Sequence, residues 1–579
     1  MSDAPVSEPR DRSEGDDDEP LLDAREDEAI ARAAPWWDAG GPAMSAAFWG
    51  AIAVMIAALF RTQSLPFCDY PQHLALAATL RRMLTSGAPE RALFETNVLS
   101  YNSLFHVVVA ALNVVVPIDV AGKIVLGAYA FLLGYGSLAL LRATGRPRAR
   151  AFLILPVFFG YSIVWGFVNF GLGAAIQLIV LARVLEHTDP RRHVVDPHPI
   201  RRDVVTAIIA LLGAYTHLLA SALVYLLLLV AIVVRTQTAR EGWFLRVGRA
   251  FRIGAPLLVP VAYCVWVYRR QMTGYQNFEY AVAEGNDSFA LVKVKGFIDY
   301  AAGLRTDGLD GKVLSIALGL LVLGAILRDP DDDPHPALRW LFVASGFAYL
   351  IISHVFWATN FVFERVSFFV VITAVLMTPR ALPKFEAMLR LFYVSVGLAA
   401  AGTLWGAMGA AHEELADFDR VIAEMPRARR VTGLVWHPKL ESTLQWSLVQ
   451  SPAYYVARNG GEVAFSFTRT MSLPVHYRKE TMPPDPPANF EWMPQAYRPS
   501  ATYAKYFDLV LMKTTDDDGV DPRAAVWGAH AGEVDVVVHH GRWWAFETKR
   551  VTADAPSPST EDDDAPSLRD LLKDGDSDQ

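Results

Sequence analysis

An acid, a proline and a histidine stand close together in the stretch "SLPFCDYPQHLAL", which begins at Ser64. Pro71 suits the first turn of a helix, and Asp69 just before it suits the N-cap position. His73 follows Asp69 by four residues, near enough to share a site at the start of that helix. A carboxylate in such a place can take a proton from a reacting hydroxyl group. The plainer alternative is that Asp69 only caps the helix and that His73 lies at a membrane interface.

Other polar residues fall near the ends of apolar segments. These are Asn169 in "YSIVWGFVNFG", His217 in "YTHLLAS", and His354 and Arg365 in "SHVFWATNFVFER". Ionisable groups near membrane depth are costly to keep there, so they are usually paired or functional. Arg365 could hold a phosphate through its planar guanidinium.

Each of these residues also has a structural alternative. Asn169 could satisfy backbone groups at a broken helix, and His217 could lie at the membrane interface. His354 could pair with Glu364, and Arg365 could anchor its helix at the interface.

The elements that must position these residues are membrane helices. The chain has 579 residues, is 53% hydrophobic and has a mean hydropathy of +0.23, too apolar for an ordinary soluble protein of this size. The apolar runs between residues 44 and 409 lack the strict alternation of barrel strands, and many approach the roughly 20 residues that cross a bilayer. We therefore predict an α-helical polytopic membrane protein with about 11 helices: 44–60, 119–141, 151–164, 167–185, 203–217, 219–235, 253–268, 312–328, 336–354, 361–378 and 388–409.

Arginine-rich loops predict the orientation of these helices. Four such segments, at 141–150, 187–203, 235–252 and 379–390, are expected on the cytoplasmic side. The N-terminus is then cytoplasmic as well, and the loops 61–118 and 269–312 lie outside. This assignment requires the apolar stretch Leu104–Val116 to be half-inserted, because a full crossing would place the arginine-rich loops outside. All the candidate site residues then fall near the outer face.

Composition divides the chain into four parts. Residues 1–43 and 553–579 are acidic and poor in apolar residues, so they are predicted to be disordered tails. Residues 44–409 form the transmembrane domain, and 410–552 are predicted to form an extracytoplasmic α/β domain. Two cysteines, Cys68 and Cys264, are too few for a disulfide framework or a cysteine metal site. The predicted partners include the lipid bilayer but no nucleic acid.

Three stretches carry a family resemblance. "DYPQHLAL", from Asp69, is similar to a first-loop element of the form D-Y-P-N-H-L-A-R in bacterial integral membrane proteins of the GT-C glycosyltransferase class. "GFVNFGLG" and "NFVFERVSFF" also resemble that group. The resemblance covers roughly 44–410, with weaker similarity over 430–550. Gln72 and Leu76 stand where that element has Asn and Arg, and Leu76 argues against a phosphate contact at its position.

The resemblance implies a function. The donor would be a sugar on a polyprenyl phosphate, and the acceptor a glycan, lipid or protein at the outer face of a bacterial inner membrane. Asp69 would be the catalytic base and Arg365 the phosphate ligand, with His73, Asn169, His217 and His354 as further substrate contacts. No metal ligands are predicted, and a requirement for a divalent metal stays open.

Two other classes of function remain. One is a transporter or flippase-like protein for a lipid or polar solute, which would favour mid-membrane polar residues and internal repeats. The other is a non-catalytic membrane scaffold whose outer domain binds a partner.

Overall fold

The structure is a computed structural model. It describes residues 37–188, 199–237, 242–272, 290–332, 336–355, 360–443, 445–469, 473–484, 491–494, 497, 506–515 and 521–548. Both predicted tails lie outside these residues, apart from 37–43. Of the predicted outer loop 269–312, the structure describes residues 269–272 and 290–312.

Helices make up most of the described chain as far as residue 424. In chain order they are α1 Pro42–Leu59, α2 Tyr70–Met83, α3 Glu90–Leu93, α4 Leu104–Leu112, α5 Ile118–Ala143, α6 Tyr161–Val164, α7 Val168–His187, α8 Pro199–Thr216, α9 Leu218–Gln237, α10 Trp243–Gly254, α11 Leu258–Met272, α12 Ala290–Lys295, α13 Phe297–Ala301, α14 Leu309–Ile326, α15 Pro336–Ile351, α16 Val362–Met377 and α17 Pro383–Glu424.

Seven helical stretches in the described residues are long and apolar enough to cross a membrane. They are α1, α5, α7, α9, the α10–α11 stretch, α14 and α17. This supports a multi-pass helical membrane protein, although the number is lower than the 11 predicted. Of the other predicted spans, those at 336–354 and 361–378 correspond to α15 and α16, each 16 residues long.

The predicted span at 151–164 is wrong. Residues Arg148–Val157 form a 3-10 helix instead, and the short α6 follows it. Pro156 lies inside this segment, where it has no N–H to donate and its ring obstructs a regular α-helix. The segment packs against α17 and is buried almost throughout.

Two further predicted boundaries differ from the structure. The segment 235–252 is predicted as a loop, but "WFLRVGRAFRIG" forms α10, in which apolar and arginine side chains separate onto different faces. The last membrane helix was expected to end at residue 409, whereas α17 continues to Glu424, so the proposed domain boundary at 410 falls inside a helix. Met425 stands before Pro426, which disfavours further helical backbone.

The apolar stretch Leu104–Val116 forms the helix α4, which has 9 residues. At 1.5 Å per residue a helix of that length covers about 14 Å, less than half of a hydrocarbon core. The helix α4 is therefore too short to cross a bilayer. This agrees with the prediction that this stretch is only half-inserted.

Beyond α17 the chain forms a small α/β unit. Its strands and helices are β2 Arg430–Val435, α18 Ala453–Asn459, β3 Glu462–Val463, β4 Val475–Tyr477, β5 Leu509–Lys513, α19 Arg523–Trp527, β6 Asp535–His540 and β7 Trp543–Glu547. The five-stranded sheet has the order β3-β2-β5-β7-β6. β2 pairs in parallel with β3 and β5, whereas β7 pairs antiparallel with β5 and β6. The turn of the β6–β7 hairpin contains Gly541 with φ 53°, a left-handed conformation that glycine adopts without strain.

Several contacts attach this unit to the start of the helical domain. β4 pairs antiparallel with β1 (Phe94–Thr96), which lies between α1 and α5 in the chain. The amide of Gln72 on α2 donates to Gln450 Oε1 at 2.8 Å and to the Phe465 carbonyl at 2.9 Å. Leu76 packs in an apolar cluster with Val475 of β4, so an apolar side chain suits a position where the resembling element has Arg. The α2 helix is thus held on one side by the α/β unit and on the other by the bundle.

Candidate functional site

The backbone around Asp69 is held by the segment that precedes α7. Cys68 N–H donates to the Val164 carbonyl at 2.9 Å, and Asp69 N–H donates to the Trp165 carbonyl at 3.0 Å. Gly166 lies directly against this contact with φ +90°, and a Cβ there would come within 2.5 Å of the Asp69 nitrogen. Only glycine allows this approach, which explains why the "WGF" sequence stands opposite "CDY".

Asp69 precedes α2 at its N-cap position, but its side chain makes no capping hydrogen bond. The capping alternative is therefore wrong for its side chain. Burial raises the pKa of the Asp69 carboxyl to about 7, while the positive charge of Arg365 and a hydrogen bond with Cys68 act in the opposite direction. A carboxyl with this pKa exchanges protons readily near neutral pH.

His73 lies one helical turn after Asp69 and contacts a second histidine that was not predicted. His73 Nδ1 lies 2.9 Å from His106 Nε2, and His106 is fully buried in α4. Burial lowers the pKa of His106 to about 3, with a backbone hydrogen bond to Asn102 opposing the shift. Burial also lowers the pKa of His73 well below its usual value, helped by His106, His217 and Arg365. Both rings are therefore neutral at pH 7.

Asn169 lies in the first turn of α7, where it is 3% exposed. Neither its amide nitrogen nor its amide oxygen has a hydrogen-bond partner among the described residues. A buried side-chain amide without partners costs about 1–3 kcal/mol, so it is unusual unless another molecule completes it. The alternative that Asn169 satisfies backbone groups is wrong for this structure.

His217 connects α8 to α9 and packs against α7, the helix that carries Asn169. Its ring lies 5.5 Å from that of Phe170, and its Cβ is 3.0 Å from where a Cβ on Gly173 would be. Gly173 and Asn169 are one turn apart on α7, so His217 packs near the face that carries Asn169. Its Nδ1 accepts a hydrogen bond from Ala220 N–H at 3.3 Å at the start of α9.

Arg365 lies in the first turn of α16 and is 5% exposed. Its guanidinium carbon is 3.6 Å from the centre of the Phe167 ring, and one terminal nitrogen donates to the Asn360 carbonyl at 3.1 Å. Its Nε has no hydrogen-bond partner in the described part of the chain. Across the described chain, no carboxylate lies within 4 Å of Arg365, so its charge is balanced only from a distance by groups such as Asp69 and Glu364.

His354 is held differently from the other candidates. Its Nδ1 lies 2.5 Å from Glu364 Oε1, and Glu364 is 2% exposed. The structural alternative, a pair with Glu364, therefore describes the geometry of His354. The role of His354 as a substrate contact stays a prediction, one that would require this pair to open.

Aromatic side chains line the neighbouring wall. Trp165 lies 4.5 Å from Phe361 and 6.0 Å from Trp492, and Trp446 lies 5.5 Å from Trp492, measured between ring centres. Trp446 and Trp492 belong to the α/β unit, whereas Trp165 and Phe361 belong to the helical domain. This cluster gives the Asp69 region an apolar border that lowers local polarity and strengthens electrostatic interactions there.

The structure therefore gathers Asp69, His73, Asn169, His217 and Arg365 at one end of the bundle, with His354 beside them. Sequence reasoning missed His106, although a histidine inside the apolar stretch Leu104–Val116 was a usable signal. It also missed Phe167, whose contact with Arg365 could not be read from local spacing. Within the described residues, no group of three or more His, Cys, Asp or Glu side chains is arranged to hold a metal ion.

No protein-family model matches the chain, and no curated protein matches it. Two solved structures are similar to it. ArnT from Cupriavidus metallidurans bound to undecaprenyl phosphate shares 14% sequence identity, with a TM-score of 0.50 over 88% of this chain and 98% of that chain. The apo state of the same ArnT also shares 14% identity, with a TM-score of 0.48 over 87% of this chain and 98% of that chain. At this identity the similarity establishes an ArnT-like fold.

Proposed function

We propose that this protein is a membrane glycosyltransferase that transfers a sugar from a polyprenyl-phosphate donor to an acceptor at the outer face of a bacterial inner membrane. The observation that carries the proposal is a buried arginine, Arg365, that has no carboxylate within 4 Å among the described residues but lies near the Asp69 carboxyl group. Asp69 and Arg365 attract each other across the site, and neither forms a direct ion pair with another residue that the structure describes. A transferase of this kind needs both groups, one for the proton and one for the phosphate.

The roles follow from the chemistry of the reaction. The oxygen of an acceptor hydroxyl attacks the anomeric carbon of the sugar, and its proton passes to the Asp69 carboxylate. The bond from the anomeric carbon to the phosphate oxygen breaks, and the electron pair leaves with the polyprenyl phosphate. The Arg365 guanidinium, stacked on Phe167, receives the phosphate charge through its unused N–H groups. Asn169 and His217 supply neutral polar contacts beside it.

The bound lipid of the ArnT structure supports the donor class. That structure contains undecaprenyl phosphate, which has the polyprenyl tail and phosphate that a lipid-linked sugar would leave after transfer. An arginine without a nearby carboxylate, at the end of an apolar helix bundle, suits such an amphipathic ligand. The phosphate can supply the negative charge, and the tail can remain among apolar side chains.

The orientation in the membrane belongs to the same proposal. We place the N-terminus in the cytoplasm, and Asp69 and the unit after residue 424 outside. Cysteine residues introduced singly on a cysteine-free background would be tested with a membrane-impermeant reagent. Labelling is expected within 61–100 and absent within 141–150, and the reverse pattern would refute the orientation.

The decisive experiment measures sugar transfer by the purified full-length chain. Radiolabelled sugars on polyprenyl phosphates would be offered in detergent and in proteoliposomes, with wild type and Asp69→Asn compared. We expect transfer or slow donor hydrolysis that needs Asp69. Movement of intact lipid across the proteoliposome membrane without any transfer would favour the transporter or flippase class. Neither activity, together with retained binding of a protein partner by the outer unit, would favour the scaffold.

A further inference from the structure

The helix α10, Trp243–Gly254, carries two kinds of side chain on different faces. Successive residues on an α-helix are about 100° apart, so residues three and four positions apart share a face. Four exposed apolar residues share one face: Trp243, Phe244, Val247 and Phe251. Three arginines share another face: Arg246, Arg249 and Arg252. Leu245 departs from the pattern, because it lies on the arginine side. Since α10 contains no acidic residue, one of its faces is apolar and another is positively charged.

The packing of α11 shows in which direction the chain runs after α10. The rings of Tyr263 on α11 and Tyr215 on α8 lie 6.4 Å apart between their centres. The 3-10 turn Ala255–Leu257, which joins α10 to α11, also packs against α8. Because α8 ends at Thr216, just after Tyr215, this turn must contact an earlier part of α8. The helices α8 and α11 therefore run side by side in the same direction, towards the end of the bundle that carries His217.

This packing gives the level of α10 along the bundle. Both helices rise equally per residue, so equal steps back from Tyr263 and from Tyr215 bring Arg249 about level with Arg201. Arg201 is exposed and precedes the apolar run of α8, which begins at Val204. The α10 helix thus lies where α8 enters the apolar layer, at the end of the bundle opposite Asp69. An arginine at that level can keep its charged group among lipid headgroups, whereas in hydrocarbon it would be costly.

The apolar face of α10 needs a cover, and the bilayer is the apolar medium that adjoins it. Only a three-residue turn separates α10 from α11, and α11 itself has exposed apolar side chains, among them Val261 and Val265. Phe244 is 85% exposed and Phe251 is 67% exposed, a large aromatic surface to leave in water. A helix with aromatic residues on one face and arginines on another is typical of helices that lie in a membrane interface. The arginines complement the phosphate charge of anionic lipids.

We propose that α10 lies in the plane of the bilayer surface and binds anionic phospholipids. Its aromatic face rests in the acyl chains, and the exposed Arg249 and Arg252 contact the headgroup phosphates. Within the α10–α11 stretch, only the chain from Ala255 onward then crosses the bilayer. The 18 residues to Met272 cover about 27 Å, close to the thickness of a hydrocarbon core. This inference does not depend on the transferase function, since α10 lies at the other end of the bundle from Asp69.

The first experiment measures how α10 lies in the bilayer. Single cysteines would be introduced along 243–254 in a full-length Cys68→Ala/Cys264→Ala background, spin-labelled, and studied in nanodiscs that contain phosphatidylglycerol. Collisions with oxygen report burial in lipid, and collisions with a water-soluble nickel chelate report exposure to water. We expect oxygen accessibility to repeat every 3.6 residues, highest at 244, 247 and 251 and lowest at 249 and 252, with equal depth at both ends of α10.

Two results of this experiment would overturn the proposal. A steady increase in depth from 243 to 254 would show that α10 enters the bilayer as part of a crossing helix. Access of the nickel chelate to 244, 247 and 251 would show that the aromatic face lies in water, where it could serve only a soluble partner.

The second experiment measures the headgroup preference. Delipidated full-length protein would be titrated with phosphatidylglycerol or phosphatidylcholine, and bound lipid would be counted by native mass spectrometry. We expect phosphatidylglycerol to bind more tightly to wild type. The double variant Arg249→Gln/Arg252→Gln should lose roughly tenfold or more of this affinity, since one arginine near an anionic surface contributes about fivefold.

The matched control is Arg420→Gln, which removes an exposed arginine from α17 and should keep the affinity of wild type for phosphatidylglycerol. Equal affinity of wild type for the two lipids would overturn the proposal, because the headgroup charge would then be irrelevant. Unchanged affinity of the double variant for phosphatidylglycerol would also overturn it, because the lipid would then bind elsewhere on the protein.

Discussion

The two ends of the helix bundle treat their arginines differently. At the end where α5 and α7 finish, Arg146 pairs with Asp332 at 2.7 Å and Arg148 with Asp38 at 2.8 Å. Arg235 at the same end donates to Thr188 Oγ1 at 2.7 Å, next to the last turn of α7. At the opposite end, Arg365 is as buried as Arg146, but its guanidinium rests on the Phe167 ring, and no carboxylate lies within 4 Å of it among the described residues.

This difference separates structural arginines from one that suits a ligand. A paired arginine repays its desolvation through a carboxylate and through carbonyl groups at helix ends, so its removal should mainly affect stability. An arginine without such a pair costs free energy in the empty protein, and a bound anion can supply the missing charge. The same reasoning applies to Asn169, whose amide has no hydrogen-bond partner among the described residues.

The largest expected effect is that of Asp69→Asn. The substitution keeps the size of the side chain and removes its ability to take a proton. Turnover should fall by about 10²-fold or more, the range for loss of a general base. Transfer would be measured with labelled donor, and thermal unfolding would check that the variant is folded. Near-normal transfer by a folded Asp69→Asn would remove Asp69 from the mechanism.

Substitutions of Arg365 and Arg146 compare the two ends directly. Arg365→Lys should raise the donor KM by roughly tenfold, because an ammonium group cannot hold a phosphate with a planar fork, and Arg365→Ala should raise it further. The matched control Arg146→Gln should keep the donor KM but destabilise the fold by about 2 kcal/mol, since it removes a charge-assisted hydrogen bond to Asp332, which keeps its contacts with Arg380. An unchanged donor KM in Arg365→Lys would leave helix anchoring as the better account.

Asn169→Leu should separate binding from stability. Removing an unpaired buried amide should leave the unfolding temperature of the ligand-free protein unchanged or raise it, because about 1–3 kcal/mol of desolvation cost disappears. Turnover should nevertheless fall by roughly fivefold to tenfold through the loss of a substrate contact. A variant that is both less stable and fully active would contradict the ligand role of Asn169.

The smallest effect concerns pH. The pKa of Asp69 is raised from 3.8 to about 7, so the base is protonated at lower pH and kcat/KM should rise as pH increases through about 7. Its contribution to stability has the opposite sign. Between pH 3.8 and 7 the unfolded chain loses this proton while the folded protein keeps it, so the Asp69 contribution to stability falls as pH rises through this window. Asp69→Asn should lack this dependence, which thermal unfolding from pH 4 to 8 would measure.

Much of the architecture could be predicted because it follows from local composition. Long apolar runs predict membrane helices, since only backbone that pairs internally can span lipid. The proline and glycine positions around "DYPQH" and "WGF" predicted where helices start and break. The apolar run 151–164 predicted a membrane helix, but Pro156 prevents a regular α-helix there. The domain boundary predicted at 410 was also wrong, because no residue stops α17 before Pro426.

The sequence by itself determined the residue types available to the site: a carboxylate, several histidines and an arginine near the ends of apolar segments. The tertiary structure decided how each is used. Asp69 does not cap α2, His354 is held by Glu364, and His73 is held by His106 from a segment 33 residues away. Such choices depend on which side chains meet across elements distant in sequence, and hydrogen-bond partners across those distances leave no periodic signal in the chain.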